Sequence, residues 1–346
     1  MPVGWLSFLW GGVLKPFLVW LQFKNFRFSP AAIPAVSHPQ CFGRPPPPMS
    51  TKKSPAVRLP QDLRDLRLEY RFSTSNVFTF GNEKIDKSTA AGVPTAVLYM
   101  TPVLYGACPA AGSCRKPCLH TGGNPLYHAA KFARRLLRSK AFHFHPSTFK
   151  RLLVLELARF ASKNPDAEIL GVRLNGTTDH AWENEEISID DALHSYLLAK
   201  FSVYVPVGKY RSIIQVCRFI DSRIVNYDYT KRIDRDFSWC KMMNYSLTMS
   251  HGSIHDTLKC AVENGLNYAA PFTTKKKQNL PSEITVNGQK FSVIDGDVHD
   301  FRPWDDNTKT SIVGLRYKKA KNATAADAAA FCIDGQPVSS SARVAV

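Results

Sequence analysis

Three cysteines, Cys108, Cys114 and Cys118, fall within eleven residues of one another in the segment CPAAGSCRKPCLHTGG. The segment directly follows the apolar run TAVLYM, which has the composition of a buried β-strand. Thiolate sulfur is a soft ligand that binds zinc and iron–sulfur clusters, and three cysteines leave one iron of a cubane cluster open. The spacing therefore predicts a metal or cluster site in a loop at the end of a strand.

Other residues keep three alternatives open. His120 follows Cys118 by two residues and completes a Cys3His set, which would make the loop a structural zinc site in a non-catalytic nucleic-acid-binding protein. His143-Phe-His145 has the form of a metal site, and Tyr227 or Tyr229 could be the nucleophile of a rolling-circle replication nuclease. A fold that only binds DNA or a host protein is the third alternative.

The elements that position the cysteines follow from the pattern of apolar runs. Helix-like segments with apolar residues at three- and four-residue steps separate several runs rich in β-branched and aromatic residues. This alternation predicts an α/β fold with parallel strands, either a partial or complete TIM-type barrel or an open sheet. The predicted strands are 95–100, 168–175, 224–229, 244–250, 266–272, 291–295 and 311–317.

Polar residues stand at the carboxyl ends of these strands, where parallel α/β folds gather their working groups. We therefore expect one shared site there. Carboxylates at such a site can bind a ribose or an amino group, and a lysine suits a carboxylate or a phosphate. The residues concerned are Asn175, Asp179, Asp228, Lys231, Ser250, Asp295 and Asp297.

Charge and cysteine usage indicate the compartment and the partner. The chain has 45 basic and 28 acidic residues, a net charge of +17, and between Arg115 and Arg151 there are nine basic residues and no acidic one. Such a field attracts polyanions, so region 115–151 predicts a nucleic-acid partner. Five of the eight cysteines are scattered, which is typical of a reducing cytoplasm and not of a disulfide scaffold.

The amino-terminal part differs from the rest of the chain. Residues 1–48 are apolar and proline-rich, and Met49 reads as a natural start, so we expect an extension at 1–48 and a basic linker at 49–75. The apolar pieces fall short of the ~20 residues of a spanning helix, which predicts no transmembrane segment; a membrane-surface anchor is the rival interpretation. The α/β domain is predicted at 76–332 and a flexible tail at 333–346.

The succession of motifs resembles the phage gene-product-88 family. It runs through GNEKIDKST, CPAAGSCRKPCL, a basic helix, RLNGTTDHAWE, YDYTKR, NYSLTMS, VIDGDVHDFR and SIVGLRYK in the order of that family. The resemblance covers about residues 76–332. It implies a phage or prophage origin, and hence the cytoplasm of an infected or lysogenic bacterium.

That family is similar, more distantly, to the radical S-adenosylmethionine enzymes, whose partial barrel carries three cluster cysteines after its first strand. The resemblance implies a 4Fe-4S cluster on Cys108, Cys114 and Cys118, an electron donor as partner, and action on nucleic acid or nucleotides. Asn175, Asp179, Ser250 and the turn 295–297 would hold the nucleoside and the methionine. The cysteine spacing here is C-x5-C-x3-C, whereas those enzymes usually have C-x3-C-x2-C.

Overall fold

The computed structural model describes residues 57–72, 77–102, 104–121, 128–275, 277–318, 320 and 323–333. Ten strands form in this part of the chain, eight of them in one sheet and two in a separate antiparallel pair. They are β1 (Thr95–Val97), β2 (Leu170–Arg173), β3 (Ile187–Ile189), β4 (Gly208–Tyr210), β5 (Ile224–Thr230), β6 (Tyr245–Ser250), β7 (Tyr268–Phe272), β8 (Glu283–Val286), β9 (Gln289–Asp295) and β10 (Ile312–Arg316).

The large sheet has the order β1-β2-β5-β6-β7-β10-β9-β8. All neighbours are parallel except β8 and β9, which form an antiparallel hairpin at one edge. Six of the parallel strands thus lie side by side in the order in which they occur along the chain. They are β1, β2, β5, β6, β7 and β10. The predicted α/β fold with parallel strands is confirmed, but within the described residues the sheet stays open, with β1 and β8 as its edges.

Helices alternate with these strands, as the apolar periodicity predicts. They are α1 (Gln61–Glu69), α2 (Glu83–Ala90), α3 (His128–Phe144), α4 (Pro146–Ser162), α5 (Asp191–Phe201), α6 (Ile213–Ile220), α7 (Phe237–Met242), α8 (Thr257–Asn264) and α9 (Ala325–Phe331). Helix α4 begins at a proline, whose missing N–H costs nothing in the first turn. None of the helices in the described ranges is long and apolar enough to cross a membrane.

The two faces of the sheet are covered differently. Leu170 and Val172 of β2 pack into the main hydrophobic core with side chains of α4 and α6. Gly171 lies between these two residues and therefore faces the opposite side of the sheet. A Cβ atom on Gly171 would lie 3.4 Å from the ring of Phe301, which marks the residue that covers this second face. Phe301 belongs to the segment after β9, which packs on this second face against Tyr227. Helices therefore cover one face, and the segment after β9 covers part of the other.

The region predicted as a basic linker, 49–75, contains helix α1. Leu63 and Leu66 of this helix are 0% and 3% exposed and belong to the main core. Their three-residue spacing places both side chains on one helical face, which packs against α4. Helix α1 is therefore part of the folded domain. Residues 1–48, Met49 and residues 334–346 lie outside the described ranges, so the predicted extension, start and most of the tail stay predictions.

Candidate functional site

The loop that carries the three cysteines leaves β1 and is fixed to the end of β6. The N–H group of Gly112 donates to the carbonyl of Gly252 over 2.9 Å, and the Ser253 hydroxyl donates to the carbonyl of Ala110 over 3.1 Å. A Cβ atom on Gly112 would lie 2.6 Å from the carbonyl oxygen of Ser253, so the close approach requires glycine. Because β2 and β5 lie between β1 and β6, the loop crosses the carboxyl ends of both strands.

The three thiol groups are half-buried and lie within reach of one another's charge. Burial raises the pKa of Cys108 to about 12, and Cys118 and Cys114 contribute to the increase. Burial also raises the pKa of Cys118, again with a contribution from Cys114. The three predicted ligands thus lie near enough to influence one another's pKa, but within the described residues no group of three His, Cys, Asp or Glu side chains is placed to hold a metal ion. A metal or cluster that binds here must displace the protons of these thiols.

Lys231 follows β5 and stands beside these thiols. Its Nζ atom donates to the Oγ atom of Ser250 over 2.9 Å, and its backbone N–H donates to Oδ2 of Asp179 over 2.7 Å. Against the effect of burial, its positive charge lowers the pKa of Cys108 and of Cys118. Three of the predicted cofactor-binding residues, from the ends of β2, β5 and β6, therefore meet next to the cysteine loop.

Asp179 carries a buried oxygen that keeps free hydrogen-bonding capacity. The residue is 6% exposed, and its backbone N–H donates to the carbonyl of Ala107 over 2.8 Å. Its Oδ1 atom lies 3.5 Å from Nη1 of Arg235, and within the described residues neither atom has a hydrogen-bond partner. Burial raises the pKa of Asp179, and Arg235 opposes this increase. Oδ1 is thus a buried acceptor close to Cys108, suited to a ligand that donates.

Asn175 and Asp228 are engaged within the protein. Oδ1 of Asp228 accepts from the backbone N–H of Asn175 over 2.7 Å, and its Oδ2 accepts from the hydroxyl of Tyr245 over 2.7 Å. The side-chain oxygen of Asn175 accepts from the backbone N–H of His180 and from Nε1 of Trp182. Burial raises the pKa of Asp228 to about 7. Both residues brace the loop after β2, and their predicted contact with a cofactor stays a prediction.

Asp295 and Asp297 lie in a different group of charges. Nη1 of Arg316 is 2.9 Å from Asp295 and 3.3 Å from Asp297, and Lys87 donates to the backbone carbonyl of Asp297 over 2.6 Å. The hydrogen bond from Arg316 lowers the pKa of Asp295. Both aspartates stand at the end of β9, on the far side of β10 from β6 and the cysteine loop. Their contacts are therefore with other residues than those that surround the thiols. Their predicted role stays a prediction.

A buried polar cluster on the second face of the sheet surrounds the two candidate nucleophilic tyrosines and adds Arg173 and Asp300, which were not among the predicted site residues. Arg173 donates to Asp300 over 2.8 Å, and the hydroxyl of Tyr227 donates to the same carboxylate over 3.3 Å. The guanidinium of Arg173 lies over the ring of Tyr229 at 4.6 Å. Asp300 lies in the segment after β9, 127 residues from Arg173 in the sequence. The only sequence signal for its role is that a polar residue follows a strand there.

Arg135 is a second residue that sequence reasoning missed. Its Nη1 atom lies 3.0 Å from Nδ1 of His120 and donates to the carbonyl of the same residue over 3.0 Å. Its guanidinium also lies over the ring of Tyr99 at 5.2 Å. Arg135 is 9% exposed, and burial lowers its pKa, whereas Tyr99 and Cys118 oppose this decrease. A buried positive charge with neutral partners thus stands beside the cysteine loop.

The basic region 115–151 divides into an inward and an outward part. Arg135, Arg138 and Lys150 are buried, and Arg151 pairs with Asp190 over 2.8 Å. The exposed basic residues of the region are Arg115, Lys116, Arg134 and Lys140. Fewer charges therefore face solvent than the sequence suggests, because a helix directs every third or fourth side chain inward.

The described residues define a parallel α/β protein whose strand ends carry a thiol-bearing loop and a lysine. The gene product 88 family matches residues 76–335, most of the chain. The chain therefore belongs to the gene product 88 family, and the predicted membership of this phage family is confirmed. No curated protein and no solved structure matches the chain.

Proposed function

We propose that this protein holds a [4Fe–4S] cluster on Cys108, Cys114 and Cys118 and acts as a radical S-adenosylmethionine enzyme. The proposal rests on three half-buried thiols that lie near one another. Burial raises the pKa of Cys108 and of Cys118, and the neighbouring thiols raise it further. They lie in a loop that crosses the carboxyl ends of parallel strands, where α/β enzymes place their sites. Thiolates are also the ligands that iron–sulfur clusters require.

The donor set suits a cluster better than a single ion. In a cubane each thiolate binds its own iron, so the sulfur atoms need not meet at one point. A zinc ion needs its ligands at about 2.0–2.3 Å from one centre. We therefore propose a cluster in preference to the structural zinc alternative.

The hydrogen bond between Arg135 and His120 makes His120 unsuitable as the fourth ligand of a zinc site. A guanidinium can only donate, so Nδ1 of His120 must accept the hydrogen bond from Arg135. Burial lowers the pKa of His120 to about 4, so the ring is neutral at pH 7 and carries its proton on Nε2. Neither ring nitrogen then has a free lone pair for a metal.

The surroundings also suit a negatively charged group. A cubane with three thiolate ligands carries negative charge, and thiolates are stabilised by nearby cations. Lys231 and Arg135 supply two positive charges within reach of Cys118, whose thiol raises the pKa of Arg135 against burial. Glycine at position 112 permits close approach of the backbone.

Residues beside the cysteine loop would hold S-adenosylmethionine. When bound, the cluster would supply the electron that cleaves its sulfonium. Lys231 and Ser250 would hold the carboxylate, and the open Oδ1 of Asp179 would accept from the amino group. Six parallel strands in chain order support a partial barrel of this enzyme class. The reaction requires an external electron donor, and nucleic acid or a nucleotide is the proposed substrate.

The geometry does not favour the nuclease alternative. Tyr227 is 0% exposed and its hydroxyl donates to Asp300, while Tyr229 lies beneath the guanidinium of Arg173. A nucleophilic tyrosine must reach a phosphodiester. His143 stacks on Tyr105 at the end of α3 and has other neighbours than these tyrosines.

Iron, acid-labile sulfide and zinc analysis of the full chain, purified without oxygen, tests the proposal. We expect about four irons and four sulfides per chain with a broad visible absorption. Cys114→Ser should lose the iron, whereas the control Cys260→Ser, in helix α8, should keep it. One zinc and no iron would refute the cluster.

If iron is present, cleavage of S-adenosylmethionine by the reduced protein tests the enzyme class, and no cleavage would limit the function to cluster binding.

A further inference from the structure

A cavity of about 210 Å³ lies beside the cysteine loop, between the start of that loop and the junction of α3 and α4. One of its lining residues, Ala107, directly precedes Cys108 and binds the backbone of Asp179. Whatever occupies the cavity therefore approaches the first cysteine. The lining includes Tyr105, Ala107, Phe142, His143, His180 and Glu185.

Aromatic rings line one side of the cavity, and Phe144 packs against one of them. The rings of Tyr105 and His143 stack with centroids 4.0 Å apart and planes within 14°. Phe144 packs edge-on against Tyr105 at 6.1 Å, and these two residues are 59% and 40% exposed. The φ angle of Tyr105 is +54°, a left-handed conformation that an aromatic residue rarely adopts. Such strain is kept where the surrounding structure requires it, often at ligand sites.

Polar groups in the lining can recognise the edge of a heteroaromatic ring. The Oγ atom of Ser139 accepts from the backbone N–H of Thr101 over 2.9 Å, which leaves its hydroxyl proton to donate into the cavity. Burial lowers the pKa of His180 to about 4, so its neutral ring offers one donor and one acceptor. Oε2 of Glu185 accepts from Lys150 over 3.1 Å, and its Oε1 can accept from an exocyclic amino group.

Size and charge identify the class of ligand. Pockets for drug-sized molecules measure about 300–1,000 Å³, so this smaller cavity suits a single ring system. Lys140 is exposed and stands one helical turn before Phe144 on α3. Arg134 is exposed on the same helix, and the chain carries a net charge of +17. Aromatic platforms next to basic side chains are how proteins hold unstacked bases and their phosphates.

We propose that this cavity binds one unstacked base of a single-stranded nucleic acid, with the neighbouring base on the ring of Phe144 and a backbone phosphate at Lys140. Binding of the strand does not depend on the cluster. The further step, that the base beside Cys108 is the substrate, rests on the function proposed above.

Fluorescence anisotropy with a short labelled single strand and the full chain tests the binding. Tyr105→Asn removes the ring but keeps a residue that tolerates positive φ, and Phe144→Ala removes the exposed platform. Each should weaken binding by about five- to a hundredfold. Lys140→Gln should reduce the slope of log affinity against log salt by about 0.7. Tyr204→Ala, at an aromatic residue that is 61% exposed elsewhere, should leave the affinity unchanged.

The outcomes separate this inference from the proposed function. Cys114→Ser protein should bind the strand as the unaltered protein does, even if it has lost all iron. Equal affinity of Tyr105→Asn, Phe144→Ala and unaltered protein would overturn the inference, with or without iron. So would tighter binding of the matching duplex, or a mononucleotide that competes as well as the strand. Binding that depends on Tyr105 in a protein without iron would support the nucleic-acid site and leave the cluster refuted.

Discussion

The ammonium nitrogen of Lys231 lies 2.9 Å from the hydroxyl oxygen of Ser250, and this hydrogen bond joins the end of β5 to the end of β6. The backbone N–H of the same lysine binds Asp179 in the loop after β2. Its carbonyl oxygen lies 3.0 Å from the hydroxyl of Ser253, whose single proton is shared between this carbonyl and that of Ala110 in the cysteine loop. One residue therefore links three strand ends to the thiol-bearing loop and places a positive charge beside it.

Replacement of Lys231 by glutamine should speed the loss of iron from the protein. The change removes the charge that lowers the pKa of Cys108 and Cys118 against burial, so protons compete better for these thiols. We expect roughly tenfold faster release, the scale of residues that support metal ligands. Iron release to a chelator measures it, with Lys241→Gln, an exposed lysine of α7, as control. Equal release rates for both variants would contradict the assignment.

Arg135 is buried, and its neighbour Arg134 on α3 is exposed. Replacing each in turn therefore compares a buried charge with an exposed one on the same helix. Arg135→Gln removes a buried positive charge near Cys118 and should lower the reduction potential of the cluster, because the more negative reduced state loses its counter-charge. Arg134→Gln should leave the potential close to that of the unaltered protein, since solvent screens its charge. A redox titration followed by visible absorption compares them. An identical potential in all three proteins would show that Arg135 has no electrostatic role.

Gly112→Ala should destabilise the cysteine loop. The added Cβ atom would meet the carbonyl oxygen of Ser253 at 2.6 Å, which forces the loop away from the end of β6. We expect a decrease of about 1–3 kcal/mol in the free energy of unfolding, together with lower iron content. Gly81→Ala is the control, because its nearest contact would be an ordinary 3.5 Å. Chemical denaturation measures both variants, and equal stability would show that the loop yields at no cost.

Asp228 should make stability depend on pH. Burial raises its pKa from 3.8 to about 7 in the folded protein, so the folded state favours the protonated form. This contribution is complete below pH 3.8 and is lost as the pH rises to about 7, with a slope of up to ~1.4 kcal/mol per pH unit. Asp228→Asn should remove that slope from the free energy of unfolding.

Denaturation of both proteins at several pH values between 4 and 8 checks this. The exposed Asp166→Asn variant should keep the pH dependence of the unaltered protein. A parallel pH dependence in Asp228→Asn would mean that Asp228 stays ionised in the folded state and that its hydrogen bonds with Tyr245 and Asn175 outweigh the effect of burial.

The strands and the position of the cysteine loop can be predicted from local sequence. Apolar runs with β-branched residues correspond to β1, β2, β5, β6, β7 and β10, because strands buried on both faces are continuously apolar, and the run at 291–295 corresponds to the end of the partly exposed β9. Segments with apolar residues at three- and four-residue steps separate several of these strands as predicted, and one of them is helix α4. The order of motifs likewise indicated the gene product 88 family, which the match over 76–335 confirms. These are local properties, and they can be read along the chain.

Which strand ends lie together depends on the order of the strands in the sheet. Lys231, Ser250 and Asp179 gather at the cysteine loop because β2, β5 and β6 are neighbours in the sheet. Asp295 and Asp297 follow the same kind of strand, yet they bind Arg316 because β9 lies outside β10. Arg135 could not be distinguished from Arg134 by type or position. Helical phase and the packing of α3 bury one and expose the other, and such long-range packing has no local signature in the sequence.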